Sequence, residues 1–190
     1  MRNINKILIL ILSSLLLTSC FGGSSEENSA LTLHETDNFS IEIPSAWEVI
    51  KNDSDLLPQP KSGDIELAVT SSDIKGGFAN TLLILGQDLS KTTTSEDYSR
   101  LNNVGSSKDY TSYLDLEDKV FTFNDSDTTK LYSFEAKYNS ATPKYKFVQA
   151  GKVCGDRGYL MTIGLSLDVT DTTKYEDFLK TFTCKTGQKD

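Results

Sequence analysis

Histidine occurs once in the 190 residues, at position 34, and proline only four times. A Ser-His-Asp triad or a histidine metal centre would have to be built on His34 alone, near the start of the folded part, so an edge-strand histidine is the plainer reading. Cysteine is scarce too, with three residues, and Cys154 and Cys184 lack the CxxC spacing that redox catalysis uses. There is no glycine-rich phosphate loop: Gly76-Gly77 is a pair in a turn, and nothing like GxxxxGK follows it. Asp125 and Asp127, beside Asn124, resemble the start of a calcium loop but lack the glycine at its sixth position and the glutamate at its twelfth. Lysines and arginines nowhere cluster, and the formal net charge is −8, which excludes nucleic acid and anionic headgroups as electrostatic partners. No cofactor, metal or catalytic constellation is expected, and the chain reads as a non-enzyme.

What is present begins at the N-terminus. Arg2 and Lys6 precede an apolar run from Ile7 to Leu17 that is interrupted by Ser13 and Ser14. A permanent transmembrane helix needs about 20 apolar residues, so this run reads as a secretory leader over residues 1–19. Leu17-Thr18-Ser19-Cys20 resembles the lipobox of bacterial lipoproteins. The resemblance implies cleavage before Cys20 and acylation of that cysteine; two or three acyl chains give stable anchoring where one is marginal. Residues 20–30, with Gly22, Gly23, Ser24, Ser25, Glu26 and Glu27, then read as a flexible tether. Removal of Arg2 and Lys6 leaves 17 basic residues against 27 acidic ones, 17 − 27 = −10, so the anchor is lipid rather than charge. The expected location is the extracytoplasmic face of a bacterial membrane, in the periplasm or on the cell surface.

Residues 31–190 are of a length for one domain. Leu31 to His34 alternates weakly, as a short edge strand does. Phe39, Ile41 and Ile43 alternate with Ser40 and Glu42, and Pro44 ends that strand. Residues 51–64 hold Pro58, Pro60 and Gly63 and read as a loop. Ile65, Leu67 and Val69 predict a further strand with one apolar face. Thr81 to Gly86 is apolar at successive positions, which predicts a central strand covered on both faces. Thr93 and Glu96 have capping-box spacing, and Tyr98, Leu101 and Val104 predict a short helix closed by Gly105. Four strands over roughly 112–123, 130–138, 145–154 and 159–167, separated by turn-rich stretches, predict an antiparallel meander. A last helix starts at a capping box of Thr173 and Glu176, with Asp168 and Asp171 placed to complement its dipole, and Tyr175, Phe178, Leu179 and Phe182 form its apolar face. Folded back along the meander, it brings Cys184 toward Cys154. The two either pair, closing a loop of about 30 residues worth on the order of 3–4 kcal/mol, or remain two small buried hydrophobes.

This order of elements, together with Phe39-Ser40-Ile41-Glu42-Ile43-Pro44-Ser45-Ala46-Trp47, resembles the PsbP-like superfamily, which includes the PsbP subunit of photosystem II, a eukaryotic Ran-binding protein and bacterial DcrB-like lipoproteins. The resemblance implies an α+β fold, an antiparallel β-sheet flanked by helices in an α/β/α sandwich, and an accessory or binding role without a catalytic set. Three functions follow for comparison. A non-enzymatic accessory or assembly module with an envelope protein partner would expose an aromatic patch, drawn from Phe121, Phe123, Tyr132, Phe134, Tyr138, Tyr145 and Phe147. A small-ligand or metal-binding lipoprotein serving a transporter would hold a concave pocket. A hydrolase with an atypical carboxylate site would hold two adjacent acids. The first is the expected role.

Overall fold

The computed structural model describes residues 30–51, 57, 59–75 and 77–185. The leader, Cys20 and the tether up to residue 29 lie outside the described residues. In chain order the elements are β1 (Leu31–Glu35), β2 (Phe39–Pro44), β3 (Trp47–Val49), β4 (Asp64–Lys75), β5 (Phe78–Asp88), α1 (Ser95–Asp109), β6 (Thr111–Thr122), β7 (Thr128–Lys137), β8 (Lys144–Cys154), β9 (Arg157–Leu165), α2 (Thr173–Lys180) and β10 (Thr183–Cys184).

Seven strands form one antiparallel sheet in the order β3-β4-β5-β9-β8-β7-β6. The expected meander is its second half, and β9 closes on β5 with eight consecutive partners from Thr81↔Gly164 to Asp88↔Arg157. One face carries the main core. Leu82, Ile84, Leu131, Val148, Met161 and Ile163 project from it against Phe39, Ile41 and Ile43 of β2 and Tyr175, Phe178 and Leu179 of α2. β2 lies in a small second sheet, β1-β2-β10, which shares that layer with α2. Phe39 stacks on Phe182 at 4.9 Å between ring centroids. The layers are therefore α1, the large sheet, and α2 with the small sheet, the α+β sandwich that the PsbP-like resemblance implies.

Cys184 pairs with Phe39 on β2, and Cys154 ends β8; the two are joined by a disulfide with a Cα separation of 5.6 Å. The bridge ties the small sheet to the large one. Beside it Lys152, 1% exposed, bonds Asp125 Oδ2 and the Phe182 carbonyl and lies 4.2 Å over the Phe123 ring. Burial raises the pKa of Asp125, but the bonds from Lys152 and from the Asp127 N–H outweigh it and hold the carboxyl below its ordinary value. The two acids of the apparent calcium loop are thus structural: Asp125 neutralises a buried lysine and Asp127 accepts from Ser95 Oγ at 2.6 Å.

α1 differs from its predicted form in extent and in facing. It starts one residue later, with Thr94 Oγ1 accepting from the Asp97 N–H at 3.1 Å, and it runs through Gly105 to Asp109. Leu101 and Val104 are exposed; the buried residues are Ser95, Tyr98, Ser99 and Ser106. The reason is a gap in the sheet. β7 and β8 pair as far as Leu131↔Ala150, and past that point the ladder opens. Ser99 Oγ fills the next rung, donating to the Lys130 carbonyl at 2.7 Å and accepting from the Gly151 N–H at 3.1 Å. One turn earlier Ser95 Oγ accepts from the Val153 N–H at 3.0 Å, and Thr129 Oγ1 donates to the Ser95 carbonyl. Buried backbone groups must be paired, and here helix hydroxyls pair them, which requires close approach. A Cβ on Gly151 would lie 2.9 Å from Ser99 Cα, and one on Gly158 would lie 2.5 Å from the Tyr98 ring.

The N-terminus of α2 also differs from expectation. Its N-cap Thr172 makes no side-chain bond to the backbone; the Thr173 N–H goes instead to Asp171, and Glu176, the supposed partner of a capping box, is buried and bonded to Lys119 and to the Thr172 hydroxyl.

Replacing Ser99 with alanine leaves the Lys130 carbonyl and the Gly151 N–H buried without a partner. The expected loss is about 1–3 kcal/mol, measured as a lower urea midpoint with an unchanged slope; a change within roughly 0.5 kcal/mol, the usual range of surface substitutions, would contradict the bridging role.

Candidate functional site

Because α1 is drawn onto β7 and β8, it leaves the same face of β4 and β5 without a helix among the described residues. Leu83 and Leu85, on alternate positions of β5 from Leu82 and Ile84, point to this side and are only half-buried. The expectation that β5 is covered on both faces is therefore corrected: one face is core and the other is the floor of a groove. Ile65 joins this floor, although alternation groups it with Leu67 and Val69, because a bulge between Ile65 and Leu67 reverses its side.

The groove has a volume of about 480 Å³ and runs between the open flank of α1 and the sheet. Ile65, Leu83, Leu85 and Leu160 make an apolar floor, Leu101 and Tyr110 stand on one side, and Gln59 to Ser62 stand on the other. A second hollow of about 420 Å³, lined by Leu89, Ser90, Lys91, Thr92 and Thr93, shares Leu101 and Asn102 with it, so one trough follows the helix flank. Lys61 and Asp109 bridge the rim at 2.5 Å, both well exposed. Such an exposed pair contributes little to stability.

Four polar side chains of the groove, Asn102, Ser106, Gln149 and Thr162, are already partnered. Ser106 Oγ donates to Gln149 Oε1 at 3.1 Å, and Gln149 Nε2 donates to Thr162 Oγ1 at 2.9 Å. The Asn102 amide donates to the Tyr98 carbonyl. These contacts favour apolar side chains as occupants, since a polar ligand would have to compete with them.

Aromatic rings close the far end. Tyr110 packs on Phe134, Phe147 and Tyr138, Tyr113 stacks on Phe134 at 4.7 Å, and Phe78 stacks on Tyr145 at 4.0 Å. Tyr138 is 53% exposed at the mouth. Of the aromatics singled out in the sequence, Phe121 and Phe123 belong to the core on the other side of the sheet, whereas Phe134, Tyr138, Tyr145 and Phe147 gather here. Burial, and then Tyr138 and Asp109, push the Tyr110 hydroxyl up to about 12.

The other predicted residues lie elsewhere. His34 is half-buried on β1 opposite Ile41, on the small sheet, with no group of three or more His, Cys, Asp or Glu side chains arranged to hold a metal among the described residues. Cys154 and Cys184 are on the core side. Asp64, Glu66 and Asp88 gather around Arg157, and their ion pairs with it hold its guanidinium charged. Glu66 is bound by both Arg157 Nε and Nη2. Sequence reasoning does not pick out Leu83, Leu85, Leu101 and Gln149 as site residues; the unbroken apolar run of β5 is the one signal it carries.

The arrangement is similar enough to that of a solved structure to define the fold. Cyanobacterial PsbP (CyanoP) from Synechocystis sp. PCC 6803, a solution structure, superposes with a TM-score of 0.53 at 12% identity, covering 88% of this chain and 98% of that one. The fold is PsbP-like. A second structure, the Ran-binding protein Mog1p of Saccharomyces cerevisiae, aligns over 81% of this chain and 96% of that one at 10% identity and a TM-score of 0.48. No family model and no curated protein matches the sequence.

The raised Tyr110 value means that the folded state holds this proton where the unfolded chain releases it near the ordinary value of 10.0. Its contribution is full below that value and is lost as pH rises toward about 12. Urea midpoints at pH 9 and pH 11 are expected to fall further for the native chain than for Tyr110→Phe; equal falls would contradict a buried phenol at the end of the groove.

Proposed function

We propose that this chain is an extracytoplasmic lipoprotein, held to a bacterial membrane through acylated Cys20, and that its PsbP-like domain is a non-enzymatic accessory or assembly module of an envelope complex. It is the DcrB-like lipoprotein reading of the superfamily resemblance. The observation that carries the binding role is the trough beside α1: a face of β5 that would normally be covered instead shows Leu83 and Leu85, flanked by exposed Leu101 and Tyr138. Contiguous apolar surface of this kind marks an interaction site, and its internally bonded polar groups suit apolar side chains of a protein segment. Anchoring is supported by the charged start, short apolar run and lipobox-like Leu17-Thr18-Ser19-Cys20.

The groove's volume of about 480 Å³ also falls in the range of small-molecule sites, roughly 300–1,000 Å³, and this favours the ligand carrier for a transporter as the second reading. Purification of the native chain from its own membranes in mild detergent, with intact mass and identification of bound species, separates the two. The expected result is a mass that begins at acylated Cys20 and a stoichiometric protein partner that is lost at least tenfold in Leu101→Asp and Tyr138→Asp but kept in Val120→Asp. A bound organic molecule in place of the protein would transfer the site to the carrier reading, and a mass without acyl chains would overturn the anchor.

A further inference from the structure

Gly105 lies inside α1, four residues after Leu101 and four before Asp109, on the ridge that borders the trough. Glycine in a helix interior weakens the helix relative to alanine. Gly151 and Gly158 have a reason within the chain to lack a side chain, since a Cβ on either would strike α1. Gly105 has none: a Cβ there would meet nothing within 4 Å among the described residues. The notch that it leaves opens onto the trough between Leu101 and Asp109.

The trough is spaced for a second helix. Ser95, Ser99 and Ser106 meet Val153, Gly151 and Gln149 of β8 in turn, so α1 runs along the strands. Ser99 also reaches the Lys130 carbonyl of β7, which places the axis of α1 over the line between β7 and β8. The line between β9 and β5 is two strand spacings away, about 10 Å at roughly 4.8 Å per strand. Packed helices lie roughly 8–10 Å apart, depending on the side chains at the contact. A helix at that distance from α1 would ride over Leu83 and Leu85 of β5 and Leu160 of β9, which are the apolar floor, with Gly105 at its side. Charge also favours one kind of helix. The charged residues lining the two hollows are Lys61, Lys91 and Asp109, and Lys108 adjoins Asp109 on the last turn of α1. Asp109 is taken by Lys61 in an exposed pair that yields to an occupant at little cost. Lys91 and Lys108 are exposed and paired with no acid among the described residues. On a chain of net charge −8 this rim is positive, and complementary charge steers and orients a partner. We infer that the trough receives an amphipathic helix of the partner protein, with an apolar stripe at i, i+3 or i+4 and i+7 on the β5 floor, its backbone close to Gly105 and its flanks acidic. This inference rests on the protein-binding role proposed above.

Photo-cross-linking in native membranes tests it, with the full-length chain carrying p-benzoylphenylalanine at Ser90, Leu101 or Tyr138, all exposed along the trough. Mass spectrometry of the attached peptides is expected to find one segment of one partner, joined at residues three, four or seven apart and bearing aspartates or glutamates beside its apolar stripe. Gly105→Leu is expected to lower the yield from Tyr138 at least tenfold while the urea midpoint stays at or above that of the native chain. Gly105→Ala, which adds the Cβ alone, is expected to lower it at least threefold and serves if the leucine unfolds the protein. Attachment at residues two apart would make the occupant an extended strand, and a full yield from both glycine variants would remove the close approach. Either result overturns the helix and leaves the binding role standing. Attachment to lipid alone, to a second copy of this chain or to nothing would instead remove the partner protein, which is failure of the reading beneath it.

Discussion

The placement of α1 depends on two serine hydroxyls set into an opened strand ladder. Where β7 and β8 part, Ser99 and Ser95 take over the hydrogen bonds that the strands no longer make with each other. Such bonds need the helix almost in contact with the sheet, which Gly151 and Gly158 permit and larger residues would prevent. Drawn to that line, one helix covers β7, β8 and part of β9 and leaves one face of β5 half-covered. The trough is thus a consequence of backbone satisfaction: the helix sits where polar groups need it, and the apolar strip beside it remains open. Its wall is correspondingly built from the residues that a conventional amphipathic packing would have buried, Leu101 above all.

The opposite layer follows another constraint. α2 and the small sheet pack the rings of Phe39, Tyr175 and Phe178 against Tyr159, Phe182 and Trp47, and the Cys154–Cys184 bridge with the Lys152–Asp125 pair fixes their end against β8. A charge pair with one fully buried partner contributes less to net stability than its contact suggests, because Lys152 is desolvated; removing Asp125 would cost more than the pair contributes, since it leaves the buried lysine uncompensated. The disulfide joins β10, the last described strand, to β8; β10 pairs with β2, and β2 in turn carries β1. The two sides of the large sheet therefore have different characters: one compact, cross-linked and next to the N-terminal segment, the other half-covered and lined with partly exposed rings.

Much of the compact side is legible in the sequence. Phe39, Ile41 and Ile43 with a period of two, and Tyr175, Phe178, Leu179 and Phe182 with a period near 3.6, each have a single apolar face and a single way to bury it. The meander is equally plain, since its turns are rich in asparagine, aspartate and glycine. The groove side is not legible for specific reasons. The face of α1 was assigned from Leu101 and Val104, but the serines form bonds whose acceptors and donors lie more than thirty residues away. Ile65 was assigned with Leu67, and a bulge set them on opposite faces. The continuous apolar run of β5 implied cover on both sides, and no linear pattern reveals how far a helix extends across a sheet. The thiol pairing rested on a folded-back helix, a three-dimensional step that composition alone leaves open.

The claim on which the functional account rests is that the trough beside α1 is occupied in the membrane and empty in the isolated chain. Hydroxyl-radical footprinting of side chains in native membranes, compared with the purified protein, measures this directly. The account predicts that Leu83, Leu85, Leu101 and Tyr138 lose most of their labelling in the membrane while exposed Val120 on β6 keeps its own. Equal labelling of all five residues in both states would contradict it.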